Sequence, residues 1–374
     1  MITIDSPLTS LKTGRWFKLI CGASYQHLPS VRHLALAYTL AGADCIDVAA
    51  DPAVIKATLE AIAIAADLGD SARRRGFGYG GRPWLMVSLN DGEDPHFRKA
   101  EFEATACPTN CPRPCESICP AGAIAFSDLQ AGVIDELCYG CGRCIPVCPS
   151  NLIRARSYVF SPEAVAPLVF QTGVDAIEIH TQSDREADFR RLWHHIQPWI
   201  HQLKAIAISC PNSPDLIDYL WSLHQLITPL PSTTALIWQT DGRPMSGDIG
   251  SGTTRASIQL SQKVLSAQLP GYVQLAGGTN DYTVAKLRSL KLLGHLLTET
   301  NSTSPTVAGV AYGSYARTLL APILESLESM AIFYPNQKSD PIEMSKITQL
   351  ESQPDLLWKA VNLASSLVSQ IKGF

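Results

Sequence analysis

The sequence predicts an α/β protein built as a closed (β/α)8 barrel, interrupted after its third strand by a cysteine-rich insertion. Three observations predict it. Short apolar runs rich in β-branched residues recur eight times along the 374 residues. Each is followed, directly or after the cysteine window, by a stretch with helical periodicity. Eight is also the number of strand–helix units that closes on itself. An open doubly wound sheet is the alternative, but no lone GxGxxG opens the chain.

In chain order, strands are expected at 17–23, 44–49, 84–90, 174–181, 203–209, 234–239, 271–276 and 306–312. Helices are expected near 29–41, 52–67, 162–172, 184–198, 213–228, 255–267, 281–297 and 314–329. Pro52 after Asp51, Pro162 after Ser161 and Pro214 after Ser213 are start signals, since proline tolerates the first helical turn. The expected organisation is a first barrel part over 1–95, the insertion over 96–160, a second barrel part over 161–330 and a helical segment over 341–374. In that last segment Leu357, Val361, Ala364, Val368 and Ile371 share one helix face, which either docks on the barrel or receives a partner.

Composition narrows the function. The chain is 46% hydrophobic and 17% charged with net charge −4, which fits a folded interior. It has no Lys/Arg-rich run, so nucleic acid is not an expected partner. The longest apolar helix candidate, 52–67, is broken by Lys56 and Glu60, and MITIDSPLTS lacks the basic-then-apolar pattern of a secretory signal. The expectation is a cytoplasmic protein without membrane insertion. In that setting eleven cysteines read as ligands sooner than as disulfides.

Strand alternation places some polar groups inside the barrel. In Ala176-Ile177-Glu178-Ile179-His180 the isoleucines suit the helix layer, so Glu178 and His180 are expected to point inward near the mouth. Asp47, between Ile46 and Val48, does the same. These three are the candidates for proton transfer; the alternative is a satisfied polar layer. The turns at 274–280 and 311–317 resemble the phosphate-binding loops of flavin-binding barrels. That resemblance implies a phosphate-bearing cofactor such as a flavin held by Gly277, Gly278, Gly313, Ser314 and Arg317; the alternative is plain turns. Cys21, Cys45 and Cys210 lie in or near strands and are expected to pack as small hydrophobes.

The remaining eight cysteines fall in one window. It runs Cys107-PTN-Cys111-PRP-Cys115-ESI-Cys119-Pro120, then seventeen residues further Cys138-YG-Cys141-GR-Cys144-IPV-Cys148-Pro149. The second half is C-x2-C-x2-C-x3-C-P: three thiolates on one tight loop cover three corners of a cubane while the fourth points away. Gly140 and Gly142 let the backbone approach the cluster closely. Zinc or disulfides are the alternatives. The pattern resembles the bacterial two-cluster ferredoxins, with Ala123–Phe126 and Val133–Asp135 as the connecting hairpin. The resemblance implies that Cys138, Cys141, Cys144 and Cys119 hold one 4Fe-4S cluster and Cys107, Cys111, Cys115 and Cys148 another. The first half departs from the pattern, with one extra residue in each of its first two gaps. That leaves the first cluster open between a labile four-iron site, a 3Fe-4S site and one of unusual potential. The fold class is thus a TIM-like barrel carrying a ferredoxin-like α+β insertion.

The CPTNCPRPC run, the regular second motif, and the late AGGTND and GSYAR turns together resemble the light-dependent period family of cyanobacteria over nearly the whole chain. That resemblance, and not composition or spacing, implies a redox sensor in the input branch of the circadian clock. Clock input and core clock proteins would then be partners, and redox carriers electron donors. An iron–sulfur oxidoreductase with its active site at the barrel mouth, possible flavin included, is the alternative. A plain electron carrier does not need a barrel of this size.

Overall fold

The computed structural model describes residues 6–21, 28–92, 98–119, 122–127, 130–135, 137–138, 142–157, 167, 170–243, 249–250, 252–294, 305–332 and 349–373. Eight parallel strands close a barrel: β1 (Trp16–Ile20), β2 (Cys45–Ala49), β3 (Trp84–Asn90), β8 (Ala176–His180), β9 (Ala205–Pro211), β10 (Ala235–Asp241), β11 (Tyr272–Ala276) and β12 (Gly309–Tyr312). Successive barrel strands are neighbours, and β12 returns to pair with β1 in the register Trp16↔Gly309. A Cβ on Gly309 would fall 2.1 Å from the Trp16 carbonyl oxygen, so the seam closes only with glycine there.

The helices around the barrel are α2 (Leu28–Ala41), α3 (Pro52–Arg74), α6 (Glu186–Ile196), α7 (Leu216–Ile227), α8 (Thr254–Ser266), α9 (Thr283–Ser289) and α10 (Ser314–Ile332). Asp51 caps α3, its carboxylate accepting from the Ala53 and Val54 amides at 2.8 and 3.4 Å, just ahead of Pro52. The helix expected over 281–297 is shorter, ending at Ser289. Lys291 turns left-handed at φ 55°, and Leu293 is drawn into a bridge with Val307 beside the barrel, so the leucine-rich run serves packing instead of helix. The helix expected over 162–172 falls mostly outside the described residues.

Alternation sorts side chains between two cores. Outward residues such as Ile177, Ile179, Ile206, Ile208 and Val310 pack under the helices. Inward, the lower barrel is filled by Trp16 and Trp84, edge to face at 5.5 Å, with alanines at 176, 205, 207 and 235 making room for the indoles. The short helix α1 (Pro7–Thr13), capped by Ser6, adds Leu11 beneath them.

Between β3 and β8 in the chain lies the insertion. It holds an antiparallel pair, β4 (Arg98–Glu101) with β7 (Arg154–Ser157), and a hairpin, β5 (Ile124–Ser127) with β6 (Gln130–Val133). It also holds two single-turn helices, α4 (Pro114–Ser117) and α5 (Cys144–Val147). The hairpin's second strand lies earlier than the Val133–Asp135 expectation: Val133 pairs Ile124, and Ile134 follows with one further bond to the Ala123 carbonyl.

The last helix, α11 (Pro354–Lys372), lies against α2 and α10 with Leu357, Val361, Ala364, Val368 and Ile371 all buried. This is the docked alternative; the expected apolar stripe is covered by the protein itself. Polar contacts fix both ends. Arg32 pairs with Glu60 and Glu351 ahead of the helix, and Lys372 at its end reaches Asp44 at 2.5 Å and Ser10 at 2.7 Å. Leu367→Ala, at a site 1% exposed, is expected to lower unfolding stability by about 2–5 kcal/mol. Ser366→Ala on the exposed side should change it by less than about 0.5 kcal/mol. Urea denaturation of the two variants compares them, and equal effects would refute the docked assignment.

Candidate metal centre and barrel mouth

The insertion is organised around its thiols. Cys115 and Cys144 sit in α4 and α5, and both are buried in a small core with Ala100, Ala123, Ile124, Cys138 and Ile153. The two halves mirror each other. The Cys119 sulfur accepts from the Ala123 amide at 3.2 Å, and the Cys148 sulfur accepts from the Leu152 amide at 3.4 Å, four residues on in each case. The Ala100 amide of β4 donates to the Cys138 sulfur at 3.4 Å. Among the described residues every cysteine is a free thiol, Cys107, Cys111, Cys115, Cys119, Cys138, Cys144 and Cys148 included, so none of these is held in a disulfide. Cys141 and Gly140 lie outside the described residues.

Electrostatics bring four of the thiols together. Burial and then the neighbouring Cys111 thiol push Cys107 up from its ordinary value, with Cys148 adding to the effect. Cys115 is raised by burial and also feels Cys148 and Cys107. Burial pushes Cys148 up too, but the amides of Leu152, Ile153, Ser150 and Asn151 outweigh it and hold the thiol below its ordinary value. Cys107, Cys111, Cys115 and Cys148 therefore share one neighbourhood.

The widened first half has a local signature. Arg113, between two prolines, takes the left-handed region at φ 53°, whereas the second half uses Gly142 at φ 73°. A non-glycine residue there is strained. Its guanidinium lies 4.3 Å over the Phe126 ring of β5, a cation–π contact that offsets part of that strain. The donor chemistry fits an iron–sulfur group: soft thiols, amide donors aimed at sulfur, and an apolar lining.

Lys99, next to Ala100, joins the insertion to the barrel. Its ammonium donates to the Asp135 carbonyl and lies 4.0 Å from Asp51, the cap of α3. Arg143 beside α5 stands 3.8 Å from Glu328 of α10.

The barrel interior holds a second polar constellation. Asp47 and Glu178 point inward, as alternation requires, and meet Lys18 of β1. All three are 1% exposed or less. The Lys18 ammonium is 2.9 Å from Asp47, donates to Glu178, and donates to Gln239 of β10 at 3.0 Å. Gln239 in turn donates to Glu178 at 2.5 Å and accepts from Gln274 of β11 at 2.6 Å; Gln274 accepts from the Trp16 indole. Ser88 of β3 donates to Asp47 at 2.8 Å. Higher up, His180 Nε2 lies 3.2 Å from Glu178, and Ser209 of β9 donates to Asp241 of β10. Burial lowers and the facing carboxylates raise the Lys18 ammonium, with a net rise above its ordinary value. Burial raises Asp47 to about 6, against the pull of Lys18.

Lys18, Gln239, Gln274 and Asp241 escaped the sequence reading. The signal was present: Lys18 is the one charge in the run Phe17-Lys18-Leu19-Ile20, and Gln239 and Gln274 interrupt apolar strands at inward positions.

The late turns are closed in on themselves. Arg317 donates to the Ile20 carbonyl at 3.1 Å and to Ser314 Oγ at 3.0 Å, and Gly313 packs beneath it. Gly277 and Gly278 have φ of 64° and 93°, and their carbonyls accept from Ser257 and Thr253 of the preceding loop and helix. Cys21, Cys45 and Cys210 are buried, and burial pushes the Cys210 thiol up to about 12.

Thiol nests and barrel together define an iron–sulfur protein built on an α/β barrel. Comparison with known proteins agrees. The LdpA Fe-S cluster-binding domain matches residues 107–159 and the light dependent period A C-terminal domain matches 168–370. Light dependent period A of Synechococcus elongatus is 50% identical over 366 residues, covering 98% of this chain and 94% of that protein. The chain belongs to the light dependent period A family. A protein NrfC homolog of Haemophilus influenzae is 41% identical over 68 residues, 17% of this chain and 29% of that one. Among solved structures, tryptophan synthase of Mycobacterium tuberculosis is 12% identical with a TM-score of 0.39, covering 98% of both chains, a likeness too slight to build on. Among the described residues no helix is long and apolar enough to cross a membrane.

Two outcomes follow for the interior. Lys18→Met leaves Asp47 and Glu178 facing each other uncompensated, and is expected to cost about 3–5 kcal/mol at pH 7; chemical denaturation measures it. Asp47 binds its proton more tightly folded (about 6) than unfolded (3.8). Its contribution to stability is therefore full below pH 3.8 and is lost as pH rises through about 6. In Asp47→Asn that loss is absent. Relative to wild type, the variant's unfolding free energy is expected to rise between pH 4 and pH 7, by up to about 3 kcal/mol. A flat difference across that range would refute the assignment.

Proposed function

We propose that this protein is a redox sensor whose clusters, one or two in number, the second 4Fe-4S and the first either 4Fe-4S or 3Fe-4S, change charge with the cell's redox state and modulate input to the circadian clock. The observation that carries the reading is the mirrored pair of thiol nests, in which Cys119 and Cys148 each accept from the amide four residues on. Such amide-to-sulfur bonds are among the factors that set cluster potential. Cys138, Cys141, Cys144 and Cys119 hold one cluster, and Cys107, Cys111, Cys115 and Cys148 the other. The electrostatic contact of Cys148 with Cys107 and Cys115 across the halves supports that crossing. The light-dependent period in the relative's name supports the clock assignment. Clock input and core clock proteins are then the partners that read the state, redox carriers the electron source, and the cytoplasm the place. Lys99 offers the path: the residue beside the Cys138-bonded amide also faces the α3 cap of the barrel.

A second reading, an iron–sulfur oxidoreductase, is favoured by one observation: ionisable Asp47, Glu178 and His180 converge in the barrel interior. In it these residues move protons for a substrate or flavin held at Gly277, Gly278, Gly313, Ser314 and Arg317. The intramolecular bonds of Arg317 weigh against the flavin.

Anaerobically purified protein separates the readings. A broad band near about 400 nm with bound iron and sulfide is expected, without the structured peaks of a flavin. Cys138→Ser is expected to lose iron relative to wild type. Affinity for a clock-input partner should differ between dithionite-reduced and oxidised protein. Colourless, iron-free wild type would sink both readings; equal affinity in the two states would sink the sensor alone.

A further inference from the structure

We propose that Glu178, His180 and Asp241 bind one divalent transition-metal cation at the mouth of the barrel, apart from the cysteine-held clusters. One ligand atom from each of the three lies within 4.8 Å of the other two. Ligands about 2.1 Å from a common ion stand about 3–4.2 Å apart, so side-chain adjustments of well under a turn complete the set.

The three residues come from fixed positions. Glu178 and His180 are successive inward residues of β8, and Asp241 ends β10. On the strand between them, β9, the small Ser209 stands in register with His180 and with Gln239. Each carboxylate is held by a donor of the barrel interior. Lys18 and Gln239 donate to Glu178, and Ser209 donates to Asp241. Outer partners of this kind hold metal ligands in place.

Charge supplies an independent reason. Among the described residues, the carboxylates Asp47 and Glu178 meet one buried ammonium, Lys18, and Asp241 adds a third carboxylate beside Glu178. Asp47 Oδ2 is buried, and its partner is the Lys18 ammonium at 2.9 Å. An interior with more negative than positive charge is costly in low dielectric, and a divalent ion beside Glu178 removes the excess. An imidazole and two carboxylates suit Mn2+, Fe2+ or Zn2+. Three protein ligands also leave positions for water or a further ligand, as in open metal sites.

Mn2+ is the probe, because oxygen and imidazole suit it and thiolate does not. Cluster-loaded full-length protein is titrated with Mn2+ under anaerobic conditions, and free Mn2+ is read by its paramagnetic resonance signal. The expected result is one Mn2+ bound per chain. His180→Ala and Asp241→Asn should each weaken binding at least tenfold, while Cys138→Ser, which removes a cluster ligand, leaves it intact. The His180 side chain is 42% exposed, so its removal spares the fold, and unfolding midpoints of the variants check this. The proposal is overturned by wild type that binds no Mn2+ at millimolar concentration. It is equally overturned if both mouth variants bind like wild type, or if Cys138→Ser abolishes binding.

Discussion

A single buried ammonium organises the barrel. Lys18 is shut off from solvent on β1, and its charge is tolerable only because Asp47 of β2 and Glu178 of β8 meet it, with Gln239 of β10 as a third acceptor. Those partners come from strands on different sides of the cylinder. Satisfying Lys18 therefore demands that β1, β2, β8 and β10 hold one register around one axis. A slip of a single residue on any of these strands would turn its polar member into the helix layer and leave the ammonium exposed to hydrocarbon. Replacing the layer by aliphatic side chains would fill the same space, so its value lies in specifying register and in keeping ionisable groups under the mouth.

The same constraint explains what could be read from the chain. Barrel closure was legible because strand and helix periods repeat eight times, and the inward direction of Asp47, Glu178 and His180 followed from alternation. The network itself was not legible. Lys18 and Glu178 are 160 residues apart, and alternation gives a face, not a partner. Helix ends were the weakest expectation. The run after Ser289 keeps helical periodicity, yet Leu292 and Leu293 gain more by sealing the barrel wall beside Val307 than by extending α9. The hairpin strand was misplaced for a similar reason: Val133 and Ile134 are equally strand-like, and only the short connection sets which pairs first.

The cysteine window shows what spacing does and does not decide. The regular second half could be read directly. The first half departs by one residue in each of two gaps, and the structure locates part of the consequence at Arg113, left-handed and stacked on Phe126. Glycine would adopt that backbone without strain, as Gly142 does in the other half. Arginine adds a fixed positive charge close to Cys107, which it helps hold toward the thiolate. The two halves are alike in their amide-to-sulfur bonds and unlike in their local charge. Two groups held in these halves would differ in potential for that reason alone, since charge and hydrogen bonding are the levers on it.

The two polar centres are joined by short covalent and ionic steps. From the Cys138 sulfur the path runs through the Ala100 amide to Lys99, and across 4.0 Å to Asp51. Asp51 follows β2, whose inward residue is Asp47. A change of charge at the thiols alters the field felt at Lys99, and Lys99 is held by an uncharged carbonyl and by the carboxylate that caps a 23-residue helix. An ion pair 93% shielded from solvent at the lysine is screened little by salt. Charge among the thiols and charge on the α3 cap therefore both act on one cation. Among the described residues the insertion meets the barrel elements through at least two ion pairs, Lys99 with Asp51 and Arg143 with Glu328. A free-standing ferredoxin has no such second body for its charges to pair with.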